Sequence, residues 1–400
     1  MKFYEELFEP FNENKHKFHK KIYKTKKIDC FIGNIYDRIK KQTQIDTKIV
    51  FKKKLIKDFN SLNYDLLKSN FVPTNIQNTF KNIKISYIYE FTINNVKITV
   101  NFFLYNDENV DIYNTHIKKI VLWLKLAYSY ANNNKKSFLL NIFLSESKKY
   151  LPKNETSILG AKNVNTAVTY ACAVEGECLI YRKEEWFKVL IHETMHALCL
   201  DFSGFSYNSL KNKIKKVFPI KSDFELSETY SEMWATILNN IFISYSLSDD
   251  KKICIKYFHS LIQLEIYFAL FQMVKILDFM NIYNYDYLFL KSKSSERSVY
   301  KESTNVFAYY ILKSVLLYNY VKFINFCNYN NDDIINFNKT VSRGENSTIL
   351  NNFFDLILKC YKDKDLLKSY SSLKKFYNNL LKENKYKKLL HTMRMTSVEY

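Results

Sequence analysis

The sequence predicts an α+β protein in which a small mixed sheet packs on one buried helix and a mostly α-helical lobe follows. Three observations predict it. Two runs rich in β-branched and aromatic residues, Ile85–Ile93 and Val96–Tyr105, are separated only by Asn94-Asn95, a strong hairpin signal. The segment Val189–Leu198 is uncharged except for His192, Glu193 and His196, as expected of a helix buried along most of its girth. After Asp201 the apolar residues recur at helical spacing, and no proline follows Pro219.

The elements divide into three regions. Residues 1–80 form an N-terminal basic region, expected to be helical from Cys30 to Ser69 and bounded by Pro73. Residues 81–202 form a first lobe: the hairpin, a helix over Asp111–Asn132, short strands at Phe138–Leu144, Asn165–Tyr170 and Glu177–Tyr181, then the His-containing helix. Residues 203–400 form the helical lobe, with helices at Phe224–Tyr245, Lys252–Met280, Ser303–Tyr320, Thr348–Cys360 and Asp365–His391. The active site is expected between the two lobes. No internal repeat is present.

The chemistry lies in His192-Glu193-Thr194-Met195-His196. Positions i and i+4 share a helix face, so both imidazoles can reach one zinc ion at roughly 2.0–2.1 Å, with Glu193 beside the open position. Zinc lowers the pKa of bound water to about 7, and an adjacent carboxylate can take its proton. With only 7 histidines in 400 residues, about 0.01 chance matches to the pattern are expected. Two core histidines beside a surface glutamate are the bland alternative. Burying that set without a metal would be costly.

A third ligand is required. Asp201, five residues past His196, would point roughly 140° away on a continuing helix and is set aside. Downstream, Ser222-Asp223-Phe224-Glu225 reads as a capping box that gives Glu225 a structural job, leaving Glu228 and Glu232 on one helix face. The bland reading of that pair is a solvated acidic surface.

Together these motifs resemble the gluzincins, the thermolysin-like class of HExxH zincins; the metzincin pattern is excluded because Cys199 and Phe202 stand where its Gly and third His would be. The resemblance implies a zincin-like metallopeptidase fold, Glu228 as third ligand, Glu232 holding His192 from behind, and Glu in place of the usual Asp at that position. The stretch from His196 to Glu228 is longer than in thermolysin itself. The strand at Asn165–Tyr170 would be the cleft-lining edge that binds a peptide backbone. Zincins also use a donor for the oxyanion, and Tyr309 is preferred here over His259, Arg343 and His391 because it shares a helix stripe with Asn305. The segments Tyr181–Glu193, Leu200–Ser203 and Glu228–Ala235 further resemble uncharacterised metallopeptidase-like proteins of large DNA viruses of eukaryotes.

The expected function is therefore a zinc-dependent peptidase acting on a peptide or protein, with Glu193 as general base. A catalytically silent zincin-fold virion or host-interaction protein is the competing reading, and the intact Glu193 argues against it. A structural zinc protein would need four protein ligands where three are apparent. The net charge of +20 invites nucleic acid, but only 5 of the 60 basic residues are Arg and the composition follows AT-rich codons, so nonspecific affinity is the most that it suggests. The densest basic patch runs from Lys15 to Lys27. No stretch resembles a secretory h-region or an uncharged transmembrane run, and seven scattered cysteines read as free thiols, which predicts an intracellular, cytoplasmic or virion setting. Cys172 and Cys178 are both read as strand residues.

Overall fold

The computed structural model describes residues 9–14, 25–59, 65–131, 135–154, 156–337 and 348–400. The chain divides into two compact units, one made of Phe31–Lys148 with Asn165–Gly204, the other of Met1–Cys30, Lys149–Val164 and Phe205–Tyr400. Most of the basic patch, Lys15 to Lys24, lies outside the described residues, as does Arg343.

The first unit is built on a six-stranded mixed sheet. Its strands in chain order are β1 (Val50–Leu55), β2 (Ile85–Ile93), β3 (Val96–Leu104), β4 (Ser137–Ile142), β5 (Ala167–Thr169) and β6 (Glu175–Ile180), and their spatial order is β1-β2-β3-β4-β6-β5. The β2–β3 hairpin turns on Asn94 and Asn95, both with positive φ (47° and 67°), the backbone that a two-residue hairpin turn demands and Asn tolerates. Between β3 and β4 the chain crosses over through the helix Val110–Tyr130, so these strands run parallel, as do β4 and β6. The N-cap Asn109 accepts the Asp111 amide at 2.9 Å, which fixes where that helix starts. Short β5 is antiparallel to β6 and forms one edge of the sheet, the position expected of the Asn165–Tyr170 segment.

One expectation fails at the other edge. The Cys30–Ser69 stretch is not continuously helical: a helix covers Lys26–Thr43, but Val50–Leu55 pairs with β2 as an exposed edge strand. Three lysines at its centre hid the strand from a reading based on burial, and lysine at an edge is how sheets resist further pairing. One sheet face carries Phe103, Phe143 and Leu179, packed on Leu66, Leu67, Ile76 and Phe80 of the N-terminal part of the unit. The helix Trp186–Ala197 packs against the crossover helix, β5 and β6. All twelve of its residues are buried.

The second unit is helical, with its long members at Leu226–Leu247, Lys251–Phe279, Tyr320–Asn330, Thr348–Cys360 and Lys364–Glu383. Two expected helices are broken. Ser303–Tyr320 becomes a π-helix at Phe307–Leu312 continued by α-helix at Lys313–Tyr318, and the last helix stops where Asn384 turns left-handed (φ 52°). The capping box is also displaced: Glu225 is itself the N-cap residue, and its carboxylate takes bonds from Lys211 (2.8 Å) and Tyr207 instead. Lys251–Phe279 is long and apolar enough to cross a membrane, but 78% of its most apolar window is buried inside the structure, as for a core helix. Its polar side chains hold the extended chain Thr392–Val398: Gln272 donates to the Arg394 carbonyl (2.6 Å), Lys275 to that of Thr392 (2.6 Å), and Glu265 accepts the Ser397 amide (2.7 Å). Burial drives the Lys275 ammonium pKa well below its usual range.

Candidate metal centre

His196 follows His192 by four positions, about one helical turn, which brings their rings edge to face with centroids 4.8 Å apart. Their Nε2 atoms face each other at 3.1 Å. Two nitrogens bound to one tetrahedral zinc at about 2.05 Å would lie about 3.3 Å apart, so the pair is close to the required bite. What turns His196 this way is Asp201. Its Oδ2 lies 2.5 Å from His196 Nδ1, with both side chains nearly inaccessible, which places the Nδ1 proton toward the carboxylate and leaves Nε2 as the outward lone pair. Asp201 is fixed in turn by Ser203, whose amide (3.1 Å) and hydroxyl (2.7 Å) both donate to Oδ1.

Asp201 is the partner of His196 that sequence reasoning missed. Extrapolating the helix puts it on the far side, but the helix ends at Ala197 and Cys199 adopts a left-handed backbone (φ 54°), so the chain doubles back. The signal for that stop is usually a glycine, and here a cysteine occupies the position. The helix itself is anchored from its opposite side. Trp123 Nε1 donates to Thr194 Oγ1 at 2.7 Å, and that hydroxyl donates to the Leu190 carbonyl at 2.7 Å.

His192 and His196, in the first unit, are a nitrogen pair that could hold a metal ion from one helix face. Glu228 stands in the first turn of Leu226–Leu247, with Glu232 buried one turn further on. Tyr309 donates to Glu228 Oε2 at 2.9 Å. It sits in the π-helix, a form often found at functional sites. Of the other oxyanion candidates, His259 lies 2.6 Å from Asp29 and His391 closes the helix Lys387–His391. Glu193 is buried in the same helix as the two histidines.

No protein-family model, curated protein or solved structure matches the chain.

Two other features bear on it. Cys172 and Cys199 form a disulfide (Cα–Cα 5.0 Å), which corrects the expectation of free thiols throughout, while Cys30, Cys178, Cys254, Cys327 and Cys360 remain thiols. Cys172 is in a turn and Cys178 is in β6, so only the second is a strand residue. A separate cavity of about 440 Å³ opens beyond the carboxyl ends of β3 and β4, lined by Phe102, Tyr113, His116, Phe143, Glu146 and Lys183 among others. Burial, reinforced by Lys119 and Lys183, lowers the His116 pKa to about 4.

Proposed function

We propose that the protein is a zinc-dependent peptidase of zincin type, with His192, His196 and Glu228 holding the metal and Glu193 acting as general base. The observation that carries this reading lies within one unit: two Nε2 atoms facing each other at 3.1 Å from one helix, with the buried Glu193 next to His192 and Asp201 on the far nitrogen of His196. The donor set suits zinc: two imidazoles and one carboxylate leave a fourth position for water, the pattern of catalytic rather than structural sites. When bound, zinc polarises the scissile carbonyl and acidifies water.

The chain's own residues do the rest. Glu193 accepts the proton from the attacking water and delivers it to the departing amine. Asp201 keeps the Nδ1 proton of His196 in place, and we assign the matching job for His192 to Glu232, buried one turn beyond Glu228. Tyr309 orients Glu228 through its hydroxyl, and swinging off that oxygen would let it donate to an oxyanion. The edge strand β5 offers a row of backbone groups for an extended peptide.

The test is a peptide-library digest with zinc content measured alongside, comparing wild type with Glu193→Gln, Glu228→Ala and Glu225→Ala. Wild type and Glu225→Ala should cleave and hold about one zinc per chain. Glu193→Gln should hold zinc without cleaving, and Glu228→Ala should lose most of the metal. Equal cleavage by wild type and Glu193→Gln would refute the mechanism, and full zinc in Glu228→Ala would refute the ligand set.

A further inference from the structure

The metal helix ends in a covalent tie that the catalytic reading does not use. Cys172, in the turn before β6, is bonded to Cys199, two residues before Asp201. Both cysteines have left-handed backbones (φ 58° and 54°), a conformation that residues with a Cβ adopt only when their surroundings enforce it. Both amides donate to one acceptor, the carbonyl of His196, each at 3.1 Å. The chain after Asp201 then passes directly over the bridge. A side chain at Gly204 would begin 3.2 Å from Cys172 Sγ, so its absence permits that approach.

We propose that the Cys172–Cys199 disulfide is a redox clamp on the metal centre, tightening metal binding when oxidised and loosening it when reduced. The inference rests on the zinc reading of His192, His196 and Glu228. The disulfide fixes the left-handed turn at Cys199, that turn aims Asp201 at His196 Nδ1, and Asp201 sets which nitrogen of His196 faces the metal. Both cysteines are half-buried, within reach of a thiol reductant. A dithiol reduces the bridge in two exchanges. Its first thiolate attacks one sulfur, forming a mixed disulfide and releasing the other cysteine; its second thiolate then closes the reductant's own disulfide. Two electrons pass to the bridge and two protons end on Cys172 and Cys199. The freed turn can relax from its left-handed conformation, carrying Asp201 away from His196.

The experiment measures the zinc Kd of the whole chain by chelator competition after oxidation with glutathione disulfide and after reduction with a phosphine, which does not compete for zinc as a dithiol would. Thiol titration of the denatured samples should count five thiols in the oxidised protein and seven in the reduced protein. Reduction should weaken zinc binding about tenfold, the lower end of what removing an outer partner of a metal-bound histidine costs. Cys172→Ser/Cys199→Ser should show the weaker Kd under both conditions. Faster amide exchange at 199–204 on reduction is the readout independent of metal. Seven thiols after oxidation, or a Kd that reduction leaves unchanged or tightens, overturns the clamp while leaving the metal site standing. Zinc bound in neither state, with five thiols counted, overturns the metal reading and the clamp with it.

Discussion

Asp201→Asn is the sharpest test of how the centre is tuned. The substitution keeps side-chain volume and an oxygen for the two Ser203 bonds at 3.1 and 2.7 Å, so the loop has no reason to unfold. What changes is the atom 2.5 Å from His196 Nδ1. An amide nitrogen there would meet the Nδ1 proton donor to donor. To escape, His196 must shift its proton to Nε2, the atom that faces His192 at 3.1 Å and that a metal needs as a lone pair. A hydrogen bond to a charged group contributes about 1.5–3 kcal/mol, and each 1.4 kcal/mol is tenfold in affinity, so zinc should bind about ten to a hundredfold more weakly. Chelator-competition titration gives the Kd, and a thermal melt of the apo protein confirms that the fold survives. A variant that melts like wild type and binds zinc within about threefold of it would refute the assignment of Asp201 as the partner that sets the His196 tautomer.

Two further outcomes are expected. Tyr309→Phe removes the 2.9 Å bond to Glu228; if positioning that carboxylate is its whole role, zinc affinity should fall several-fold with kcat unchanged at saturating metal, whereas a fall in kcat at unchanged affinity would mean an oxyanion role. Glu302, whose Oε2 accepts bonds from Tyr300 (2.9 Å) and the Phe307 amide (2.7 Å), is held protonated by burial, its pKa raised from 4.5 to about 8. Its contribution to stability is therefore complete below about pH 4.5 and is lost as pH rises toward 8, at up to about 1.4 kcal/mol per unit. His116, lowered to about 4, gives the opposite slope below pH 6.5, but that slope is common to wild type and Glu302→Gln. Denaturant melts from pH 5 to 8 should show wild type losing stability relative to Glu302→Gln as pH rises, and parallel profiles would refute the buried protonated carboxyl.

The parts of this protein legible in its sequence are those whose signal is periodic or local. The β2–β3 hairpin could be read because Asn94-Asn95 is itself the turn chemistry, and the helix Trp186–Ala197 could be read because Val189–Leu198 carries no charge other than at His192, Glu193 and His196. Strand β1 was not legible. An edge strand exposed at every position has no hydrophobic alternation to detect, and its lysines resemble a solvated helix face as closely as a guarded edge. The break at Phe307–Leu312 was hidden for a different reason: a π-turn keeps apolar residues at nearly helical spacing, so periodicity runs through it unaltered.

The candidate site divides along the same line. His192, Glu193 and His196 are tied by a fixed spacing on one helix, and Glu228 with Glu232 by the same spacing on another, so sequence numbers alone specify which side chains share a face. Asp201 obeys no such rule, because its position depends on where the helix stops, and Cys199, left-handed without being a glycine and bridged to Cys172, lies just past that stop. A long-range covalent contact has no local signature in either partner. Reading Cys199 as a thiol and Asp201 as pointing away thus failed at one place in the chain: Cys199 is bridged to Cys172, and past the end of the helix the Asp201 carboxylate has His196 within reach.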